Sequence, residues 1–168
     1  MKLTEDEIED LQLEADELLE QGNIEEAESY YEEALALYNK ALEIYKRIDY
    51  PKGIVESVHK IAVVYWRKGE FDKALQELDL ALNLAEANQL YFVKAQIYND
   101  HGNIYQKKGL HQQALAYFNK ALTINKMVGN RFGEATNLGN LGIVYRHPGQ
   151  YEVAIAHYKQ ALNIDKQI

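Results

Sequence analysis

The sequence predicts an all-α protein, a solenoid of about four helix–turn–helix units. Three observations predict it: one pattern of apolar and small residues returns four times, glycines return at the same place in each copy, and the helix formers Ala, Leu, Glu and Lys are abundant. The recurring glycines are Gly22, Gly69, Gly109 and Gly149. They lie 47, 40 and 40 residues apart, so the last three units share one period and the first is longer.

Each unit is predicted to hold two amphipathic helices joined near its glycine. In the last unit, Tyr151, Ala154, Ile155 and Tyr158 stand at positions i, i+3, i+4 and i+7, which places them on one buried face. Small residues recur on both helices and would let the two backbones approach closely. They are Ala62, Gly102 and Gly142 on the first helix, with Ala74, Ala114 and Ala154 on the second. A helix pair of this kind leaves an apolar face uncovered, so neighbouring units should stack.

The predicted domain organisation is a single solenoid spanning residues 1–168. Its units are predicted at about 8–48, 52–90, 92–129 and 132–168. The first glycine spacing exceeds the period by seven residues, which is two helical turns, and tyrosines recur at that same interval: Tyr31, Tyr38 and Tyr45. We therefore predict an uninterrupted second helix from about Ile24 to about Ile48, roughly 37 Å long at 1.5 Å per residue.

The acidic residues are concentrated at the N-terminus. Residues 1–34 hold 14 of the 26 acidic residues and only Lys2 against them, whereas the remaining 134 residues hold 12 acidic and 17 basic residues. The local net charges are therefore −13 and +5. This division indicates either an acidic interaction arm or a helix packed beside basic neighbours. The alternative is that the acidic residues simply solvate an outer helix. It does not favour a nucleic-acid partner, because the total is acidic and no basic stripe is present.

Several classes of protein are disfavoured by the composition. No run of 18 apolar residues exists, and the acidic N-terminus is unlike a signal peptide, so neither a membrane partner nor secretion is expected and the cytoplasm is the predicted location. The chain has no cysteine, no phosphate-binding glycine loop and no histidine pair spaced for a metal. We therefore expect no enzymatic activity, no cofactor and no metal site.

The repeated residues resemble the tetratricopeptide motif. The last unit carries it as Leu138-x2-Leu141-Gly142-x2-Tyr145, Gly149-Gln150-Tyr151 and Ala154-x3-Tyr158-x2-Ala161-Leu162. The 40-residue period, and the stretch 129–142 in particular, is similar to the extended subclass seen in kinesin light chains and spindle-orientation scaffolds. The resemblance implies a right-handed α-α superhelix that binds a protein or peptide, although the family binds many unrelated partners.

The resemblance also implies where a ligand would lie, because in this family the concave surface is lined by the first helix of each unit. The predicted peptide-binding groove contains His59, Lys60, Val63, Trp66, Arg67, Gln96, Asn99, Asp100, Asn103, Gln106, Lys107, Thr136, Asn140, Ile143, Arg146 and His147. Asparagine side chains can pair with a peptide N–H and C=O at once, and the large aromatic Trp66 would be the natural hot spot. The alternative is that these residues are merely the solvated faces of helices. A clamp for a C-terminal carboxylate, as in chaperone cofactors of the family, is not predicted, because the matching positions lack the cations.

A second predicted surface lies at the last helix, where no following unit would cover the apolar residues. The predicted self-association residues are Tyr145, Tyr151, Ile155 and Leu162. Three functions stay open at this point. The leading one is an adaptor that holds a partner peptide or helix in its groove. The others are a structural module that forms a homodimer or higher homo-oligomer, and a regulatory fragment of a larger signalling protein.

Overall fold

The computed structural model of the chain describes residues 3–146 and 149–166. This part of the chain forms eight α-helices and no strand: α1 (Glu5–Ala27), α2 (Tyr31–Arg47), α3 (Pro51–Arg67), α4 (Phe71–Ala87), α5 (Tyr91–Lys107), α6 (His111–Met127), α7 (Arg131–Arg146) and α8 (Tyr151–Asp165). The predicted all-α fold built from repeated helix pairs is confirmed. None of the described helices is both long and apolar enough to cross a membrane.

The helices fall into two compact halves. The N-terminal half (Met1–Gln89) contains α1–α4, and the C-terminal half (Leu90–Ile168) contains α5–α8. Within each half every helix packs against the next one along the chain. Each half is therefore two helix pairs stacked on each other, as expected for a repeat whose single pair cannot bury its apolar face alone.

Turns interrupt the chain every 20 residues. Each turn contains one residue with a positive φ, and these residues are Ser29, Asp49, Gly69, Gln89, Gly109, Gly129 and Gly149. At Gly69, for example, the N–H of Glu70 donates to the carbonyl of Tyr65 at 2.9 Å. This bond is typical of the Schellman motif, in which a left-handed residue ends the helix and satisfies its last carbonyls.

The predicted uninterrupted helix from Ile24 to Ile48 is wrong. α1 ends at Ala27, and the turn at Ser29 (φ 68°) is closed by a 2.8 Å bond from the N–H of Tyr30 to the carbonyl of Glu25. A serine, and not a glycine, adopts the left-handed conformation here, so the glycine pattern pointed to Gly22 instead. With the turn at Ser29, the first repeat has the same 40-residue period as the others.

Gly22 belongs to a different recurring position, together with Gly102 and Gly142. All three lie in the first helix of a pair, and a Cβ added at any of them would lie 2.5 or 2.6 Å from an aromatic ring of the second helix. The rings are those of Tyr38, Phe118 and Tyr158. The glycines thus make room for a ring, whereas the sequence had suggested a close approach of two backbones.

The buried residues are mostly apolar, with a few polar exceptions. In the C-terminal half, Phe118 and Leu122 of α6 pack with Leu138 and Leu141 of α7 in one cluster. His101 is buried, as its position in the pattern predicts. Its Nδ1 lies 3.0 Å from the carbonyl oxygen of Ile97, and its ring stacks on Tyr117 with centroids 4.6 Å apart.

Candidate functional site

The predicted groove residues lie on three helices, α3 in the N-terminal half and α5 and α7 in the C-terminal half. Their side chains differ in exposure. The exposed ones are Arg67, Gln96, Lys107, Thr136 and Arg146, and the half-buried ones are Lys60, Val63, Trp66, Asn99, Asp100, Asn103, Gln106, Asn140 and Ile143. His147 lies outside the described residues. Six of the nine half-buried side chains are polar, and four of these six lie on α5.

His59 does not belong to an open surface. Its side chain is only 8% exposed, so the structure corrects its prediction as a ligand-binding residue. Its neighbours Ser57 and Val58 are also buried, because α3 is packed against both α2 and α4. A helix covered on two sides presents a narrow strip to solvent, and His59 falls outside that strip.

Arg67 is part of a polar cluster in the N-terminal half. Its Nε lies 2.8 Å from Oε1 of Glu26, a carboxylate that is itself buried. The hydroxyl of Tyr38 donates to Oε2 of Glu26 at 2.9 Å, and Oδ1 of Asn23 lies 3.0 Å from the same hydroxyl. Burial, and then the hydrogen bond to Glu26, raise the pKa of Tyr38 above its ordinary value. The cluster ties α1, α2 and α3 together, and it leaves part of the Arg67 side chain on the surface.

In the C-terminal half the structure brings two predicted groove residues into direct contact. Nδ2 of Asn140 on α7 donates to Oδ1 of Asn99 on α5 at 2.9 Å. The same oxygen also accepts from Nδ2 of Asn137 at 2.9 Å. Two carboxamides from neighbouring first helices therefore meet at the surface, where each is half-buried.

This contact is the outer end of a longer asparagine network that sequence reasoning missed. Nδ2 of Asn130 donates to Oδ1 of Asn125 at 2.8 Å, and Nδ2 of Asn125 donates to Oδ1 of Asn137 at 2.7 Å. The N–H of Gly133 donates to Oδ1 of Asn130 at 3.1 Å. We call Asn130, Asn125, Asn137, Asn99 and Asn140 the asparagine network.

A signal for the missed members was present in the repeat itself. Asn137 stands where Ile97 stands one period earlier, and Asn125 stands where Ala85 stands. A polar residue at an apolar position of a repeat calls for a hydrogen-bonding partner, because a buried carboxamide without one costs free energy. Asn137 and Asn125 are 1% and 4% exposed and supply that partner to each other.

The predicted self-association residues divide into two groups. Tyr151, Ile155 and Leu162 of α8 are exposed, at 62%, 50% and 51%. Tyr145 is half-buried, and its ring stacks on that of His157 with centroids 5.3 Å apart. Of the four predicted residues, the three on α8 are therefore the exposed ones.

No metal site is evident in the part of the chain that the structure describes, where no three His, Cys, Asp or Glu residues are grouped to hold an ion.

Comparisons with known proteins agree with the geometry. A family model described as tetratricopeptide repeat matches residues 15–87 and 93–167. No curated protein matches the sequence of this chain.

Solved structures share the fold at low sequence identity. BtubC (BKLC) from P. vanneervenii is 20% identical with a TM-score of 0.79, and the match covers all of this chain and 76% of that one. A Rap protein complexed with competence and sporulation factor is 22% identical with a TM-score of 0.82 over 96% of this chain. The Rap conjugation gene regulator of the plasmid pLS20, in complex with the Phr* peptide, is 23% identical with a TM-score of 0.73 over 87% of this chain. The chain spans 44% and 41% of the length of these two Rap structures.

Proposed function

Because this chain belongs to the tetratricopeptide repeat family, we propose that it is a protein-interaction scaffold that binds an extended peptide segment of a partner along α5 and α7. The observation that carries the proposal is the contact between Asn99 and Asn140. Both are half-buried side chains on first helices of neighbouring pairs, where the resemblance to the family implies that a ligand would lie. Two proteins of similar fold were solved in complex with the Phr* peptide and with competence and sporulation factor, which supports a ligand of this kind.

The chemistry of the pair suits a peptide backbone. A carboxamide has the same donor and acceptor groups as a peptide bond, so it can pair with a backbone N–H or C=O whatever the ligand's side chains are. Asn103 and Gln96 extend the carboxamide surface along α5. Arg146 and Lys107 add positive charge near the ends of α7 and α5, where an acidic ligand residue would be favoured.

The proposal is tested with short unstructured peptides displayed as a random library and selected on the intact chain. We expect a selected peptide to lose about tenfold or more in affinity on Asn140→Ala, because one direct hydrogen bond is lost and Asn99 loses a positioning partner. Asn119→Ala on the exposed part of α6 is the matched control and should leave the affinity unchanged. Equal binding by both variants, or no selectable peptide at all, would contradict the proposal.

A second candidate function, self-assembly, is favoured by the exposed residues of α8. Ile155, Tyr158 and Leu162 are 40 residues after Leu115, Phe118 and Leu122 of α6, and Phe118 and Leu122 are buried in the cluster that includes α7 residues. The α8 residues are thus suited to receive a helix, and a second copy of the chain is the occupant that we propose. The absence of catalytic activity, of a cofactor and of nucleic-acid or membrane partners, and the cytoplasmic location, stay predictions of the sequence.

A further inference from the structure

The asparagine network has a fixed direction, because it begins at a group that can only donate. The N–H of Gly133 donates to Asn130, so the atom of Asn130 that faces it must be the carbonyl oxygen Oδ1. Asn130 is the residue before α7, and this bond caps the first turn of that helix. Its Nδ2 is consequently the group that meets Asn125.

Each following carboxamide in the network is oriented by the one before it. Asn125 must accept with Oδ1 from Asn130, so it donates with Nδ2 to Asn137. Asn137 in turn accepts with Oδ1 and donates with Nδ2 to Asn99. A reversal of any one carboxamide would place two donors or two acceptors face to face, and burial makes such a mismatch costly.

The outer end of the network therefore has a defined polarity. Asn99 must turn Oδ1 inward to meet Asn137, and this oxygen also accepts from Nδ2 of Asn140. Within residues 3–146 and 149–166, Nδ2 of Asn99 and Oδ1 of Asn140 then have no hydrogen-bond partner. Neither atom is fully buried without a partner, so both are open to solvent.

We infer that the backbone amide of Gly133 sets, through the buried Asn125 and Asn137, which groups the surface presents to a ligand: a donor at Asn99 and an acceptor at Asn140. That the ligand is a peptide rests on the proposed function, and the polarity of the surface adds the direction in which the peptide runs. A bound peptide offers a carbonyl oxygen to Asn99 and a backbone N–H to Asn140, so the direction of its chain across α5 and α7 is fixed. Asn130, Asn125 and Asn137 are positioning residues that touch no ligand.

The orientation of the carboxamides is measured first, by neutron diffraction from deuterated crystals of the intact chain without any ligand. Deuterium atoms distinguish Nδ2 from Oδ1 directly. We expect deuterium between Asn137 and Asn99 on Asn137, and deuterium between Asn140 and Asn99 on Asn140. Deuterium on the Asn99 nitrogen in either contact would overturn the inference, whether or not a peptide binds.

The consequence for binding is measured with Asn125→Asp. An aspartate accepts from Asn130 and also requires a donor from Asn137, which reverses Asn137 and then Asn99 and Asn140. The surface donor and acceptor exchange places, so a peptide selected on the unmodified chain should bind about tenfold or more weakly. Asn119→Asp adds the same charge to the exposed part of α6 and should bind the peptide normally.

Ester analogues of the selected peptide show whether Asn125→Asp weakens binding by exchanging the surface donor and acceptor or by damaging the fold. An ester lacks one backbone N–H, and the unmodified chain should lose affinity for the analogue that removes the N–H facing Asn140. The Asn125→Asp chain should bind this analogue and the selected peptide with equal affinity, because its Asn140 then presents a donor. Equal sensitivity of both chains would overturn the inference. If no peptide can be selected but the deuterium positions are as expected, the proposed function fails while the direction of the network stands.

Discussion

At the scale of single residues, glycines inside the helices differ in whether a larger residue would fit in their place. The sequence does not show which glycine is of which kind. A methyl group at Gly102 would lie 2.5 Å from Cε1 of Phe118, whose ring is fully buried, whereas nothing lies within 4 Å of a methyl group at Gly139 of α7. We predict that Gly102→Ala lowers the free energy of unfolding by about 1–3 kcal/mol through overpacking. Gly139→Ala should raise it by about 0.5–1 kcal/mol, because alanine favours a helix. Urea unfolding of both variants checks the prediction, which fails if their effects have the same sign.

His157 makes stability depend on pH. Burial lowers its pKa below the ordinary 6.5, and its Nδ1 is buried without a hydrogen-bond partner in the described part of the chain. Since the unfolded chain takes up a proton at a higher pH than the folded one, stability should fall as the pH is lowered through 6.5 towards the depressed value. We expect His157→Phe to reduce this decrease while retaining the ring stacked on Tyr145. Thermal midpoints of the two chains between neutral and mildly acidic pH measure the difference, and identical slopes would contradict it.

At the scale of the helices, the turn at Ser29 should be suboptimal. A residue other than glycine in the left-handed conformation costs roughly 1–2 kcal/mol, and the equivalent positions 69, 109 and 149 hold glycine. Ser29→Gly should therefore raise the free energy of unfolding by about 1 kcal/mol, and Gly69→Ala should lower it by a similar amount. Chemical unfolding measures both. A destabilised Ser29→Gly chain would show that the serine side chain contributes more than its backbone conformation costs.

The exposed residues of α8 lead to a prediction about assembly. If a second copy covers them, Ile155→Lys should abolish concentration-dependent association, because a charge would enter an apolar contact. Val153 is also exposed but lies on another face of α8, so Val153→Lys is the control. Sedimentation velocity over a range of concentrations measures the effect. A chain that stays monomeric before any substitution would remove self-assembly from the candidate functions.

Some of the helices and turns could be predicted from the sequence, and others could not. The spacing of glycines and apolar residues predicts paired helices in the last three units, and α3–α8 are the helices that the structure has there. The first turn was missed because Ser29 adopts the left-handed conformation, which glycine adopts readily and other residues adopt only where the surrounding structure holds them in it. In the candidate site, Asn99 and Asn140 were predicted, but their contact was not, because it depends on how α5 and α7 pack. Asn125 and Asn137 were not predicted as part of the site, because a polar residue on a buried helix face only interrupts the apolar pattern and does not indicate its partner.

At the scale of the whole molecule, charge differs sharply between the halves. Residues 1–89 contain 22 acidic and 9 basic residues, a net of −13, and residues 90–168 contain 4 acidic and 9 basic residues, a net of +5. The asparagine network lies in the basic half. We predict that acidic versions of a selected peptide bind more tightly than basic versions, and that the difference shrinks at high salt through screening. Fluorescence anisotropy at low and high ionic strength measures this, and a preference for basic peptides would contradict it.

The 20-residue spacing of the turns has a consequence for remodelling the gene. The turns at Gly69 and Gly109 have nearly the same φ, 78° and 73°. In both, the N–H of the residue after the glycine donates at 2.9 Å to the carbonyl five residues before that donor. A deletion or duplication that begins at one of these glycines and ends at the other therefore rejoins the chain at an equivalent backbone geometry. The length of a chain like this can therefore change by whole periods without a new turn geometry.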